Sequence, residues 1–127
     1  MPATKDSTAS KLVLRIATLD RLIDDATSVA AKSRNIGRPA LAVLCELDVN
    51  GASRPGQLHA VTGFTSGGVS RCLDGLAEQG LVRRTYGSLS DDRRGVQVVI
   101  TPKGRELVRR FASELDARLV EEGIDTL

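Results

Sequence analysis

Aromatic side chains are scarce in this chain, which has no tryptophan, one tyrosine (Tyr86) and two phenylalanines (Phe64, Phe111). Stacking of bases on an aromatic platform is therefore not open to it. Cysteine is equally sparse. Cys45 and Cys72 stand far apart, each within an apolar helical stripe. They form no disulfide framework, which points to a reducing cytoplasm, and they read as buried free thiols rather than a redox switch. The lone histidine, His59, has no Cys or Asp close by in sequence, and no metal-ligand spacing occurs. Paired carboxylates in an apolar setting and a phosphate-loop lysine are also missing. The sequence thus offers no material for a catalytic centre, and no enzyme activity, cofactor or metal is expected. No apolar run approaches membrane-spanning length, and the N-terminus lacks the apolar core of a signal peptide.

What is present suits one domain. The 127 residues are enough for a core but short of a second domain, with 41% hydrophobic and 27% charged residues. The formal charge of +2 decides nothing, but its distribution is uneven. Between Ser66 and Arg110 nine basic residues face five acidic ones, whereas beyond Arg110 one basic residue faces five acidic. A basic middle with an acidic tail suits a polyanion met by the middle. On charge alone, a solvated surface is the simpler account.

Residues 1–10 show no apolar period and read as a flexible arm. From Lys11 to Asn35 a helix is expected. Leu12, Ile16, Leu19, Ile23, Ala26 and Ala30 recur at steps of four and three, a heptad-like seam longer than a small domain's own core requires. Packing on its own domain and pairing with a partner helix both fit that seam. Asn35 to Arg38 breaks the helix, and Pro39 starts a second in its first turn. Leu41, Val43, Leu44 and Leu47 give the second helix its core face, and Asn50-Gly51 ends it. Ser53 is placed to cap a short third helix with Leu58 and Val61 inward, and Thr62-Gly63 turns the chain.

A fourth helix is the centre of the pattern. Thr65-Ser66 is a good N-cap pair. Val69, Cys72, Leu73, Leu76 and Ala77 fall on one face, and Gly80 sits where a helix-ending glycine belongs. The opposite face carries Gly67, Ser70, Arg71, Asp74 and Glu78. Its first two turns are short and polar, with Arg71 as the single long cation, a surface suited to the duplex major groove. Gly67 and Gly68 cost roughly 1 kcal/mol each against alanine inside a helix. Either they occupy a frayed first turn, or they let the helix N-terminus approach a phosphate. Strands over Leu81–Tyr86 and Val96–Thr101 then flank a polar loop. Thr101 caps a last helix, with Pro102 in its first turn and Leu107 or Val108, Phe111, Leu115 and Leu119 along one side.

Three stretches resemble the MarR family of winged helix-turn-helix regulators. Asp92-Arg93-Arg94, then Gly95 to Val99, then Ile100-Thr101-Pro102-Lys103-Gly104 match the family's wing pattern in full. Val69 to Leu76 and Gly80-Leu81-Val82 resemble its recognition-helix core and exit. The likeness covers roughly Pro39 to Arg110 and is weaker at the ends. It implies a mainly α fold with a small antiparallel β-wing (α+β), a winged helix-turn-helix with terminal dimerisation helices. In that scheme residues 11–35 and 102–127 pair two chains, through Leu12, Ile16, Leu19, Ile23, Phe111 and Leu115, and residues 36–101 engage DNA. Family members usually carry one more helix, for which the sequence leaves no room.

The resemblance also implies roles on double-stranded DNA. Ser66, Gly67, Gly68, Ser70 and Arg71 are the candidates for the major groove or its phosphates, although Gly67-Gly68 stands where the family usually has small hydroxyl residues, and whether Arg71 reads guanine or clamps a phosphate stays open. Arg94 matches the wing arginine of the minor groove, and Asp92 the acid that steadies it. Arg93 is left to a phosphate or to solvent, and Asp74 is expected to orient an arginine. Gln57 and His59, on the preceding helix, are candidates for backbone phosphate, although for His59 a plain surface position is the simpler account. The expectation is a homodimeric regulator, a repressor on a pseudo-palindromic operator, cytoplasmic and associated with the nucleoid. Whether a small-molecule effector exists is not legible. The alternative is a winged-helix protein-interaction module that does not read DNA.

Overall fold

The chain runs α1 (Thr8–Ala31), α2 (Arg38–Asn50), a 3₁₀ turn (Pro55–Leu58), α3 (His59–Thr62), α4 (Ser66–Glu78), β1 (Val82–Tyr86), β2 (Val96–Ile100) and α5 (Pro102–Glu121). These elements are seen in a computed structural model that describes residues 7–32, 34–86 and 95–124. α1 begins before the expected end of the arm because Ser7 caps it, its side chain accepting from the Ser10 amide. It also stops short of Asn35. Lys32 takes a left-handed φ of 55°, which ends the helix. Gly37 then enters α2 extended, with Pro39 in the first turn. Arg38 fastens α2 to α1 by ion pairs to Asp20 and Asp24 and a 3.1 Å hydrogen bond to the Asp20 carbonyl.

Two apolar clusters hold the elements together. The larger joins Val43, Leu44 and Leu47 of α2 to Leu58, to Val69, Leu73 and Leu76 of α4, to both strands, and to Leu107 and Val108 of α5. Full burial of such a side chain stabilises by roughly 1.5–3 kcal/mol, so three buried anchors fix the inner face of α4 firmly. The smaller cluster joins Ala26 and Ala30 of α1 to Leu41 of α2 and Phe111 of α5. Phe111 was expected on the dimer seam. At 7% exposure it instead belongs to the chain's own core, where it holds α5 against α1 and α2.

The strands pair antiparallel, Val82 opposite Ile100, Arg84 opposite Val98 and Tyr86 opposite Val96. Ser53 does not cap the short helix. It bridges to Val98 through two backbone hydrogen bonds of 3.0 and 2.7 Å, adding one residue to the sheet edge. Gln57 serves the turn in its place, its side-chain oxygen accepting from the Arg54 amide at 2.9 Å.

The entry to α5 is locked to the exit from α4. Thr101 accepts from the Gly104 amide at 3.1 Å and donates to the Gly80 carbonyl at 2.6 Å. A β-carbon on Gly104 would collide with the Leu81 carbonyl oxygen and with Ile100. The Thr and Gly of the wing pattern therefore serve the packing of α5 beneath the wing.

Candidate nucleic-acid interface

The framework of α4 follows from its two ends. Thr65 caps the start, its side chain accepting from the Gly68 amide at 3.3 Å. At the other end Gly80 takes φ 75°, and the Gly80 and Leu81 amides return to the Ala77 and Leu76 carbonyls, each at 2.9 Å. Between these caps Val69, Leu73 and Leu76 are buried, while Cys72 and Ala77 pack partly against the core. Ser66, Gly67, Ser70, Arg71 and Asp74 are exposed on the other side.

That exposed face divides into two flanks. Arg71 lies over Gly67 and lines a hollow with Phe64, Thr65, Gly68 and Cys72. It has no ion pair or hydrogen bond among the described residues, whereas Arg21, Arg38, Arg84, Arg109, Arg110 and Arg118 all engage carboxylates. On the other flank Ser66 and Ser70 border a small cleft with His59 and Arg84. Gly68 has a packing reason for lacking a side chain, because its β-carbon would lie 3.0 Å from that of Phe64. Gly67 meets nothing closer than the Arg71 guanidinium, at 3.6 Å, so its surface is open.

The arginine oriented by Asp74 is Arg84. Its Nη2 donates to Asp74 Oδ1 at 2.8 Å and approaches the Ser70 carbonyl at 3.4 Å, tying β1 to α4. Sequence reading left Arg84 unassigned among the basic residues. Strand parity was the available signal, since Arg84 shares a face with buried Val82 and so turns toward α4. Gln57 is engaged by the Arg54 amide and the Ser53 hydroxyl rather than standing free. The wing residues Asp92, Arg93 and Arg94 lie outside the described residues, although both strands that carry their loop are present.

Away from α4, the N-terminal half of α1 exposes a run of large apolar side chains, with Leu12 at 56% and Ile16 at 55%. Leu12, Ile16, Leu19 and Ile23 border an apolar groove of about 720 Å³ against Leu115 and Leu119 of α5. Cys45 and Cys72 are partly buried. Burial pushes the Cys45 thiol up from its ordinary pKa, with Asp48 adding to the shift, and burial alone pushes up Cys72. Among the described residues no group of His, Cys, Asp and Glu is arranged to hold a metal, and no helix is long and apolar enough to cross a membrane.

No protein-family model matches the chain, and no curated protein matches it. Solved structures do resemble it. RV1404 from Mycobacterium tuberculosis is 21% identical, with a TM-score of 0.75 over 95% of this chain and 82% of that one. The transcriptional regulator Tm0710 from Thermotoga maritima is also 21% identical, with a TM-score of 0.71 over 91% of this chain and 78% of that one. A MarR-family transcriptional regulator from Silicibacter pomeroyi is 25% identical, with a TM-score of 0.68 over 88% of this chain and 72% of that one.

Proposed function

We propose that this MarR-type winged-helix protein is a sequence-specific double-stranded DNA-binding transcriptional regulator, acting as a homodimeric repressor. The observation that carries the reading is the exposed side of α4. Ser66, Ser70 and Arg71 stand there on a helix whose other side is anchored in the core, and Arg71 has no internal partner among the described residues. A long cation and short hydroxyls on a rigid helix suit the major groove, where Arg pairs with guanine and hydroxyls reach bases or phosphates. A protein-docking surface would instead carry apolar side chains at its centre. The polar face of α4 therefore favours DNA over the protein-module alternative.

In this reading α4 enters the major groove, with Gly67 and Gly68 bringing the helix N-terminus near the backbone. The wing reaches the adjacent minor groove with Arg94, steadied by Asp92, while Arg93 meets a phosphate. Residues 11–35 and 102–127 pair two chains, and the uncovered side chains of Leu12 and Ile16 support that assignment. Leu19, Ile23 and Leu115 extend the seam, with Phe111 behind it as core. A two-fold dimer implies half-sites one helical turn apart, about 34–36 Å, or a multiple of that spacing. A regulator acting on an operator works in the cytoplasm, at the nucleoid. The direct test is a gel shift with the DNA upstream of the protein's own gene. A retarded band that outlasts excess shuffled competitor is expected, and equal competition by the shuffled fragment would reject sequence-specific binding.

A further inference from the structure

The cleft beside α4 holds the protein's lone histidine in a defined hydrogen-bonded state. His59 Nδ1 lies 2.8 Å from the Phe64 carbonyl oxygen. A carbonyl oxygen only accepts, so Nδ1 carries the hydrogen, and the neutral ring is left with a lone pair on Nε2. Nε2 has no partner among the described residues. The ring borders a cleft of about 150 Å³ whose other polar walls are Ser66, Ser70 and Arg84, with Val69 and Leu73 among the apolar ones. Two hydroxyls and a guanidinium edge suit a phosphate oxygen.

From this geometry we infer that the cleft seats a DNA backbone phosphate and that His59 takes up a proton to hold it. The inference rests on the DNA-binding reading above and adds to it a phosphate seat and a pH dependence. A neutral His59 meets a phosphate with a lone pair, acceptor against acceptor. The protonated ring keeps its Nδ1 bond to Phe64 and gains an Nε2 hydrogen that donates to the phosphate with charge assistance. Binding through this cleft therefore consumes one proton per protomer.

The surrounding charges agree with that direction. Arg84 of β1 faces the cleft but is committed to Asp74 of α4 at 2.8 Å. That pairing lowers the repulsion a second cation meets. α3 carries no other titratable group, and Arg54 precedes the 3₁₀ turn that borders the cleft. On α2, which packs against α3, Glu46 is taken by Asn50 at 2.6 Å. No carboxylate is bonded to His59 among the described residues.

The chain has a single histidine, so substitution of His59 alone isolates the imidazole's part in binding. The test is fluorescence anisotropy with the DNA upstream of the gene, from pH 5.5 to 8.5 at constant ionic strength. Parent, His59→Asn and His59→Arg are compared. Asparagine keeps an N–H donor for the Phe64 carbonyl but cannot titrate, and arginine is a permanent cation. For the parent, affinity should rise on acidification by up to about tenfold per pH unit for each engaged protomer, the limit for uptake of one proton. His59→Asn should be flat with pH and match the parent's weak alkaline limit. His59→Arg should be flat and tighter than the parent at pH 8.5. A flat parent profile, or a slope that persists in both variants, would overturn the inference while leaving DNA binding intact. Tighter binding at high pH would also overturn it, because it would mean that Nε2 accepts from a base amino group. Absence of binding by the parent at every pH would instead reject the DNA-binding reading itself.

Discussion

Arg84 of the first wing strand donates to Asp74 of α4 at 2.8 Å, across ten residues of sequence. The contact ties the helix to the wing, the two parts proposed to enter adjacent grooves. Asp74 is largely exposed, so the pair contributes under about 1 kcal/mol to stability. Asp74→Ala should therefore leave the urea midpoint nearly unchanged but weaken operator binding, because Arg84 no longer braces α4. Equal loss of stability and affinity would mean that the pair only supports the fold.

Among the described glycines, Gly104 has the least room for a side chain. Its missing β-carbon makes room for the Leu81 carbonyl, so Gly104→Ala should destabilise by roughly 1–3 kcal/mol through overpacking. Thr101→Val loses the α5 cap and the bond to the Gly80 carbonyl, at a cost of about 1 kcal/mol or somewhat more. Urea unfolding monitored by circular dichroism measures both. A neutral Gly104→Ala would contradict the close approach of α5 to Leu81.

Among the described residues nothing covers the apolar run at the start of α1. Light scattering at micromolar concentration should give twice the 13.5 kDa chain mass. Leu19→Asp, within the groove between α1 and α5, should shift this to monomer or to aggregate. A monomeric parent would remove the dimer and the half-site spacing with it.

Thiol chemistry follows from the direction of the cysteine shifts. The thiolate is the reactive form, and both thiols have pKa values above the ordinary range. Native protein at pH 7 should therefore label more slowly than urea-unfolded protein, and the rate should climb as pH rises. By the same linkage, any stability these protonated thiols contribute is present below the unfolded thiol's pKa and lost as pH rises through the folded one. Mild peroxide should leave DNA affinity unchanged. Fast labelling with loss of binding would make the protein a thiol sensor.

Much of this arrangement is legible in the sequence, because local chemistry decides it. The apolar period of α4, its Thr65 cap, the Gly80 stop and the pairing of the strands all stand where spacing and turn residues put them. What was not legible depends on contacts distant in sequence. Phe111 fits a seam on α5 equally well facing a partner or facing Leu41, and only the packing of α1, α2 and α5 turns it inward. Ser53 has the chemistry of a helix cap, but its backbone is claimed by Val98, forty-five residues on. Arg84 sits in a basic run that resembles solvated surface until strand parity directs it to Asp74.

The central claim is that α4 and the wing read one duplex together. Fluorescence anisotropy across a salt series, with an operator fragment and a shuffled control, tests it on the parent, Arg71→Ala and Arg94→Ala. Loss of a guanine contact at Arg71 should cost about 1–3 kcal/mol and relax preference at one base pair per half-site. If Arg71 holds a phosphate instead, the loss is uniform across sequences and the salt slope falls by about 0.9 per contact. Arg94→Ala should weaken binding most on A·T-rich flanks, where the narrow minor groove attracts arginine. Equal, weak binding of both fragments by the parent, unchanged by either substitution, would contradict the account and leave an interaction module in its place.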